Sequence, residues 1–288
     1  MNGGILIVNK PKDCTSRDIV DKIGNILGTT KVGHCGTLDP IATGVLVLGI
    51  NDGLKVLEFM NNDTKEYIAT ARLGMVTDTL DVSGTIEGVV DEYWIKEDRL
   101  KEVLASFKKK YMQEVPLYSS VKVDGVRLYK YAREGKKVEL PKREVEIFDI
   151  ELLDLDTVRD TFKIKCTVSK GTYIRSLIRD IGKELCIPCV MEELERTRQG
   201  LFSIDDAYTM EEIESNNFKY EPISKVLDGY YTVTVDQFIE SKIKNGRVLE
   251  NRYDKDMVVF KNQKDEVVGI YEPYYKDNTK IKPIRVFK

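Results

Sequence analysis

The chain carries a single histidine, His34, placed five residues before an acid, Asp39, that is followed directly by proline. The stretch Val32-Gly33-His34-Cys35-Gly36-Thr37-Leu38-Asp39-Pro40-Ile41-Ala42-Thr43-Gly44 reads as a glycine-rich loop between two apolar runs. Pro40 biases Asp39 toward an extended backbone, and the three glycines permit tight turns and close approach of a ligand. Such a loop can aim one carboxylate. A carboxylate so aimed can act as nucleophile, as base or as stabiliser of developing positive charge, or it can make no more than an Asx-type turn before proline. A spacing of five with glycine between does not give the i, i+4 helical pair, so His34 and Asp39 are expected to play separate roles.

Rigid elements must hold this loop. Ile5 to Val8 predicts a short strand, and Thr15 or Ser16 caps a helix whose Ile19, Val20, Ile23, Ile26 and Leu27 recur at helical spacing until Gly28 ends it. Beyond the loop, Val45 to Ile50 predicts a buried strand and Gly53 to Met60 a short helix. Lys65 to Leu73 alternates as a strand with Tyr67 facing solvent or a cleft, and Lys96 to Phe107 is an amphipathic helix. Val145 to Leu155 and Phe162 to Val168 predict two more strands, and Thr172 to Leu185 a helix with Tyr173 and Arg175 in its first turn. Strands outnumber helices and the connections are mixed. The pattern predicts an α+β fold around a mixed, largely antiparallel sheet with flanking helices. After periodicity fades near Asn216 to Gly229, a helix over Val235 to Ile243 and three short strands predict a small appended domain that packs on the larger part.

Length and composition narrow the function classes. With 288 residues, 42% hydrophobic and 32% charged, the chain can bury a core, and it has no run of 18 apolar residues. The start lacks the apolar region of a signal peptide, so the expected location is cytoplasmic, with no membrane partner. Five cysteines, Cys14, Cys35, Cys166, Cys186 and Cys189, argue against a disulfide framework and are expected to be buried and inert. Cys186-Ile187-Pro188-Cys189 has the spacing of half a zinc site but no second pair. Asp78 and Asp81 lack the full calcium-loop spacing and predict a polar turn. Net charge is −3, yet from Ala105 to Glu144 eleven Lys and Arg face five Asp and Glu, leaving +6 with four tyrosines interleaved. Cations among aromatic faces suit unpaired RNA; an ordinary solvated basic face has the same composition.

Several segments in order resemble one family, the bacterial tRNA pseudouridine-55 synthases of the TruB type. They are Asn9-Lys10-Pro11, the Gly33 to Gly44 segment, Lys65-Glu66-Tyr67 with Ala71-Arg72-Leu73-Gly74, and Thr77-Asp78-Thr79-Leu80-Asp81. Val115 to Lys122, Leu128 to Gly135, Ser169-Lys170-Gly171-Thr172-Tyr173-Ile174-Arg175, Leu194-Glu195-Arg196-Thr197-Arg198 and Lys282-Pro283 continue the series. The resemblance implies extrusion of uridine 55 in the T loop of tRNA, cleavage of its glycosidic bond and reattachment through C5. It implies that Asp39 is the catalytic group, attacking C1′ or removing the C2′ proton, and that no metal and no cofactor is needed because nothing leaves the product. By the same resemblance Tyr67 stacks on the flipped uracil, Leu194 packs on its other face, Tyr173 lines the pocket and Arg175 pairs with Asp39. An arginine partner favours the charged carboxylate. His34 would lie under the T loop, and Lys10 would line the same pocket.

Cys35, Ser120 and Glu195 depart from the family pattern, and Glu195 reverses a charge that is often arginine there. The C-terminal part resembles a shortened RNA-binding domain of the PUA type. The division implied is a catalytic domain over 1–228, with an RNA-gripping insertion at about 105–144, and a PUA-like domain over 229–288. The expected partner is tRNA, through its T arm and T loop, and the expected state is a monomer. Two rivals share these segments: a tRNA-binding folding chaperone whose catalysis is incidental, and a pseudouridine synthase with another RNA target.

Overall fold

The computed structural model describes residues 3–60 and 64–287. Strands β1 (Ile5–Lys10), β2 (Val32–Cys35), β3 (Thr43–Ile50), β4 (Lys65–Leu73), β5 (Lys110–Glu114), β6 (Lys142–Asp156), β7 (Thr161–Val168), β8 (Cys189–Gln199) and β9 (Phe202–Ser203) form one sheet. Its order is β1-β3-β8-β4-β7-β6-β5, with β2 on β3 and β9 on β8. Every pairing is antiparallel except β3 with β8, so the fold is mixed and largely antiparallel as the pattern predicts. That parallel contact is two residues long, Glu195 opposite Thr43 and Arg196 opposite Gly44. The loop carrying Asp39 leads directly into Thr43, so it lies where β3 and β8 part.

The two faces of the sheet explain its sequence. Leu6, Val8, Leu46 and Leu48 join one core cluster, whereas Ile5, Ile7, Val45 and Val47 join another. Strands buried on both faces read as continuous apolar runs. On the first face pack helices α1 (Ser16–Leu27), α2 (Glu97–Ser106) and, beyond the short α3 (Leu128–Arg133), α4 (Ile174–Leu185). Thr15 and Asp18 form a capping box at the start of α1, and Gly28, at φ 63°, closes it in the left-handed region. Helix α4 buries Ile174, Leu177, Ile178 and Ile181, and Tyr173 is its N-cap, so the helix begins two residues later than the predicted Thr172.

The other face of β1 and β3 is covered by a 3-10 helix, Asn51–Met60, and by a second sheet. After α5 (Met210–Glu214) and α6 (Ile223–Val226), strands β10 (Thr232–Thr234), β11 (Leu249–Glu250), β12 (Val258–Lys261), β13 (Val267–Pro273) and β14 (Lys280–Val286) pair in the order β10-β12-β13-β14-β11. With α7 (Gln237–Lys244) they enclose a core of Val235, Ile243, Phe260 and Tyr271. Val259, Ile270 and Phe287 instead reach the cluster under β1 and β3.

Three expectations need correction. The glycine-rich segment is loop only from Gly36, because Val32–Cys35 pairs with β3 as β2. The central strand β8 was not foreseen: Glu192, Glu193, Glu195, Arg196 and Arg198 give it no strand-like alternation, and two register shifts change its facing. The cysteines are all free, but only Cys166 and Cys189 are buried, with thiols pushed up to about 12 by desolvation. Cys14 and Cys35 are half-buried, and Cys186 is exposed because it closes α4 in the left-handed conformation, at φ 59°.

Candidate active site

Asp39 and Arg175 come together across 136 residues of sequence as a bidentate pair. Arg175 Nε donates to Asp39 Oδ2 at 2.8 Å and Nη2 to Oδ1 at 3.0 Å. The remaining donors are also engaged: Nη1 with the Thr79 carbonyl at 2.9 Å and Nη2 with the Tyr118 carbonyl at 3.0 Å. A second carboxylate, Asp81, lies 3.8 Å from Nη1 and is itself held by the Thr79 hydroxyl and the Ser83 amide. The polar turn predicted at Asp78 and Asp81 therefore backs the arginine. Arg175 is 5% exposed and Asp39 33%. A fork fixed by this many partners orients the carboxylate, which still has an open side.

Two further buried cations hold the loop that carries Asp39. Lys10, fully buried at the end of β1, donates Nζ to the carbonyls of Pro11 and Cys14, each at 2.8 Å, and of Pro40 at 3.3 Å. Desolvation lowers its pKa, and the nearby Asp39 is among the charges that oppose the shift. Lys10 thus acts on Asp39 through the adjoining Pro40 backbone. Arg196, fully buried on β8, donates Nε to the Val45 carbonyl at 2.7 Å and Nη2 to the Gly36 carbonyl at 3.0 Å, gripping the loop at both ends. Gly44, at φ 97°, is required where β3 meets β8: a Cβ there would collide with the Arg196 backbone.

Around this frame lie the other predicted residues. Tyr67 on β4 is 6% exposed, opposite Arg196 on β8, and Leu194 on β8 is 7% exposed, opposite Ala69. Desolvation raises the Tyr67 pKa, and the neighbouring Arg196 charge opposes that shift. Asp39 is close enough to contribute as well. Tyr173 has its backbone N–H and carbonyl clamped by the buried Gln113 side chain at 2.8 and 3.2 Å, and the Arg143 guanidinium lies 5.6 Å from its ring centre. His34 is half-buried on β2; desolvation first, then the Arg196 charge, lower its pKa, with the Gly36 carbonyl opposing. Beside the loop opens a groove of about 250 Å³ lined by Lys12, Ile41, Thr43, Leu194 and Glu195 among others. Glu195 therefore places its negative charge next to the candidate site.

Two family models match the chain in succession. Residues 24–174 match the model of the TruB family pseudouridylate synthase N-terminal domain, and residues 175–230 that of the tRNA pseudouridylate synthase B C-terminal domain. The chain belongs to the TruB family of pseudouridylate synthases. It is 38% identical to the tRNA pseudouridine synthase B of Clostridium tetani over 93% of this chain and 94% of that one. To the enzyme of the same name from Staphylococcus saprophyticus it is 40% identical over the full length of both. In fold, it superposes with a TM-score of 0.73 on a chain in the crystal structure of a Cbf5-Nop10-Gar1 complex, at 24% identity, covering 100% of this chain and 84% of that one.

In this TruB-family chain the two matched models end at residue 230, just before β10 begins the second sheet. The residues that sequence reasoning passed over are those that hold others: Gln113, Asp81 as support for Arg175, and Arg196. Arg196 lies two residues beyond Leu194 in a motif already singled out, but its burial depends on β8 being a central strand. Among the described residues no group of three metal-ligating side chains converges.

Proposed function

We propose that this TruB-family synthase converts uridine 55 in the T loop of tRNA to pseudouridine, with Asp39 as its catalytic carboxylate. The observation that carries the reading is the bidentate Asp39–Arg175 pair, which aims one carboxylate from a loop fixed by three buried cations. The reaction breaks the N1–C1′ bond and forms C5–C1′; N1 gains a proton, C5 gives one up, and nothing is released. A carboxylate at the sugar can attack C1′ or take the C2′ proton. Arg175 holds it in place. The target base would leave its stack and enter between Tyr67 and Leu194, and unstacking costs a few kcal/mol. Tyr67 is covered in this structure, so capture of the base goes with local opening around its ring. Tyr173 lines the pocket from the start of α4.

We assign residues 1–228 to the catalytic domain and 229–288 to a small PUA-like unit that adds contact to tRNA. The segment from Ala105 to Glu144, with its hairpin at Lys122–Val123 and Val126–Arg127 and helix α3, is the candidate RNA grip. The names of the curated relatives support tRNA as the substrate class. Carbodiimide mapping with reverse transcription on an unmodified tRNA transcript tests the assignment. A stop at position 55 alone is expected. Modification at another uridine would keep the chemistry and overturn the target, and tRNA binding without any pseudouridine would favour a chaperone.

A further inference from the structure

On the sheet face that Tyr67 does not occupy, charges pair across the strands on either side of one gap. Alternation along β4 turns Glu66, Ile68, Thr70 and Arg72 away from Tyr67. At one end Glu66 meets Lys165 at 3.3 Å and Arg198 at 3.5 Å, and at the other Arg72 meets Glu192 at 3.0 Å. Between them, Glu195 of β8 stands opposite Ile68, and Lys163 of β7 opposite Thr70. This gap is the groove of about 250 Å³ beside the catalytic loop, with Ile41, Ile68 and Leu194 as its apolar lining and Glu195, Lys12 and Lys163 as its charges. Among the described residues, the side chains of these three have no hydrogen-bond or ion-pair partner. Glu193, which also borders the groove, is engaged by the Thr70 hydroxyl at 3.4 Å. The groove adjoins the reacting centre in two ways. Ile41 is two residues from Asp39, and Leu194 is the residue placed above against the target uracil.

The lining defines the ligand. An ionised carboxylate only accepts hydrogen bonds, so Glu195 repels a phosphate and takes an N–H donor. Unpaired bases in RNA loops are splayed out and read on their Watson–Crick edges, and a glutamate accepts from an exocyclic amino group. Adenine, cytosine and guanine carry one; uracil does not, and its N3–H lies between two carbonyl oxygens. Three apolar side chains suit the flat body of a base, and two ammonium groups suit the phosphate attached to it. The volume lies below the about 300–1,000 Å³ of sites for drug-sized ligands, which matches a single planar ring system. We propose that this groove receives a nucleotide next to the target uridine, with Glu195 accepting from its exocyclic amine and Lys12 and Lys163 facing its phosphate. This rests on the RNA-modifying function above. Glu195 is thereby a specificity-determining residue: it favours an amino-bearing base beside the target and disfavours uracil there.

The test uses a T-arm stem-loop RNA in which each amino-bearing nucleotide within two positions of the target is replaced, one at a time, by an analogue lacking only the amine. Inosine replaces guanosine, purine riboside adenosine, and pyrimidin-2-one riboside cytidine. Wild-type protein should bind one of these RNAs about tenfold more weakly, the scale of one hydrogen bond to a charged group. Glu195→Leu should bind the natural RNA about tenfold more weakly and show no further loss with that analogue. Glu195→Gln keeps an acceptor oxygen without the charge and should retain about a threefold preference for the amine. Lys12→Met and Lys163→Met should weaken binding and lower its salt slope while leaving the amine preference intact. The groove assignment is overturned if no analogue matters, if the full preference persists in both Glu195 variants, or if Glu195→Leu binds every RNA more tightly, the sign of a carboxylate that merely repels phosphate. A free nucleoside 5′-monophosphate that binds wild type but not Glu195→Leu, with no amine effect in the RNA, would make the groove a free-nucleotide site and overturn its RNA role. Pseudouridine is scored on the unsubstituted RNA in parallel. Its absence there overturns the enzymatic function, whereas its presence without an amine effect overturns the groove assignment alone.

Discussion

Replacing Arg175 with methionine should destabilise the protein far more than replacing Asp39 with asparagine, although the two residues form one ion pair. Arg175→Met removes every donor of a side chain that is 5% exposed. The carbonyls of Thr79 and Tyr118 lose their N–H partners, at about 1–3 kcal/mol for each if left unpaired. Breaking a buried ion pair typically costs about 3–5 kcal/mol, but Asp39 is one-third exposed and rehydrates, and Asp81 keeps its hydroxyl and amide donors. These contributions share one side chain and do not simply add, so the expected loss is about 3–5 kcal/mol. Asp39→Asn leaves Arg175 with both carbonyls, with Asp81, and with an amide oxygen that still accepts. Its expected cost is about 1 kcal/mol, one ordinary hydrogen bond. Urea unfolding reads the difference as a shift in midpoint at unchanged slope. A loss below about 1 kcal/mol for Arg175→Met, or equal losses for the two variants, would refute the claim that Arg175 is the structural hub and Asp39 the chemical group.

Other consequences are open to direct measurement. Lys10→Met leaves three carbonyls without their shared ammonium and should cost about 2–4 kcal/mol, lowering kcat more than it raises KM because the Pro40 backbone loses its anchor. The single histidine should titrate below 6.5 by NMR, since burial disfavours its charged form. Because the unfolded chain binds that proton more tightly, this contribution to stability is present above pH 6.5 and is lost as pH falls through the folded pKa; His34→Gln should flatten that slope. Neutralising Lys136 and Lys137 together should weaken tRNA binding and reduce the salt slope by up to about one unit per lost phosphate contact. Lys136 already pairs with Glu134, so most of that change should come from Lys137, and an unchanged slope would remove the grip from this segment.

Local chemistry made much of the fold readable. The capping box and glycine stop bounded α1, alternation defined β4, and continuous apolar runs marked strands buried on two faces. What stayed hidden was set by distant partners. Strand β8 carries five charged residues and two register shifts, and its place between β3 and β4 is set by backbone pairing with those distant strands, which buries Arg196 against the Val45 and Gly36 carbonyls. No local pattern announces such a pairing. Likewise β2 contains a glycine beside a histidine and becomes a strand only through β3. At the site, the resemblance to a known family pointed to Asp39 and Arg175, and the structure brings them together at hydrogen-bonding distance. The anchoring roles of Lys10, Gln113 and Arg196 could not be foreseen, because each acts on backbone atoms that every residue shares.

The most direct measurement of the central claim compares wild-type protein with Asp39→Asn in single-turnover conversion of an unmodified tRNA transcript, with binding measured on the same samples. Pseudouridine formation by the wild type, unchanged tRNA affinity in the variant within about twofold, and no product from it are the expected results. Sustained pseudouridine formation by a folded Asp39→Asn protein would contradict the assignment of this carboxylate as the catalytic group.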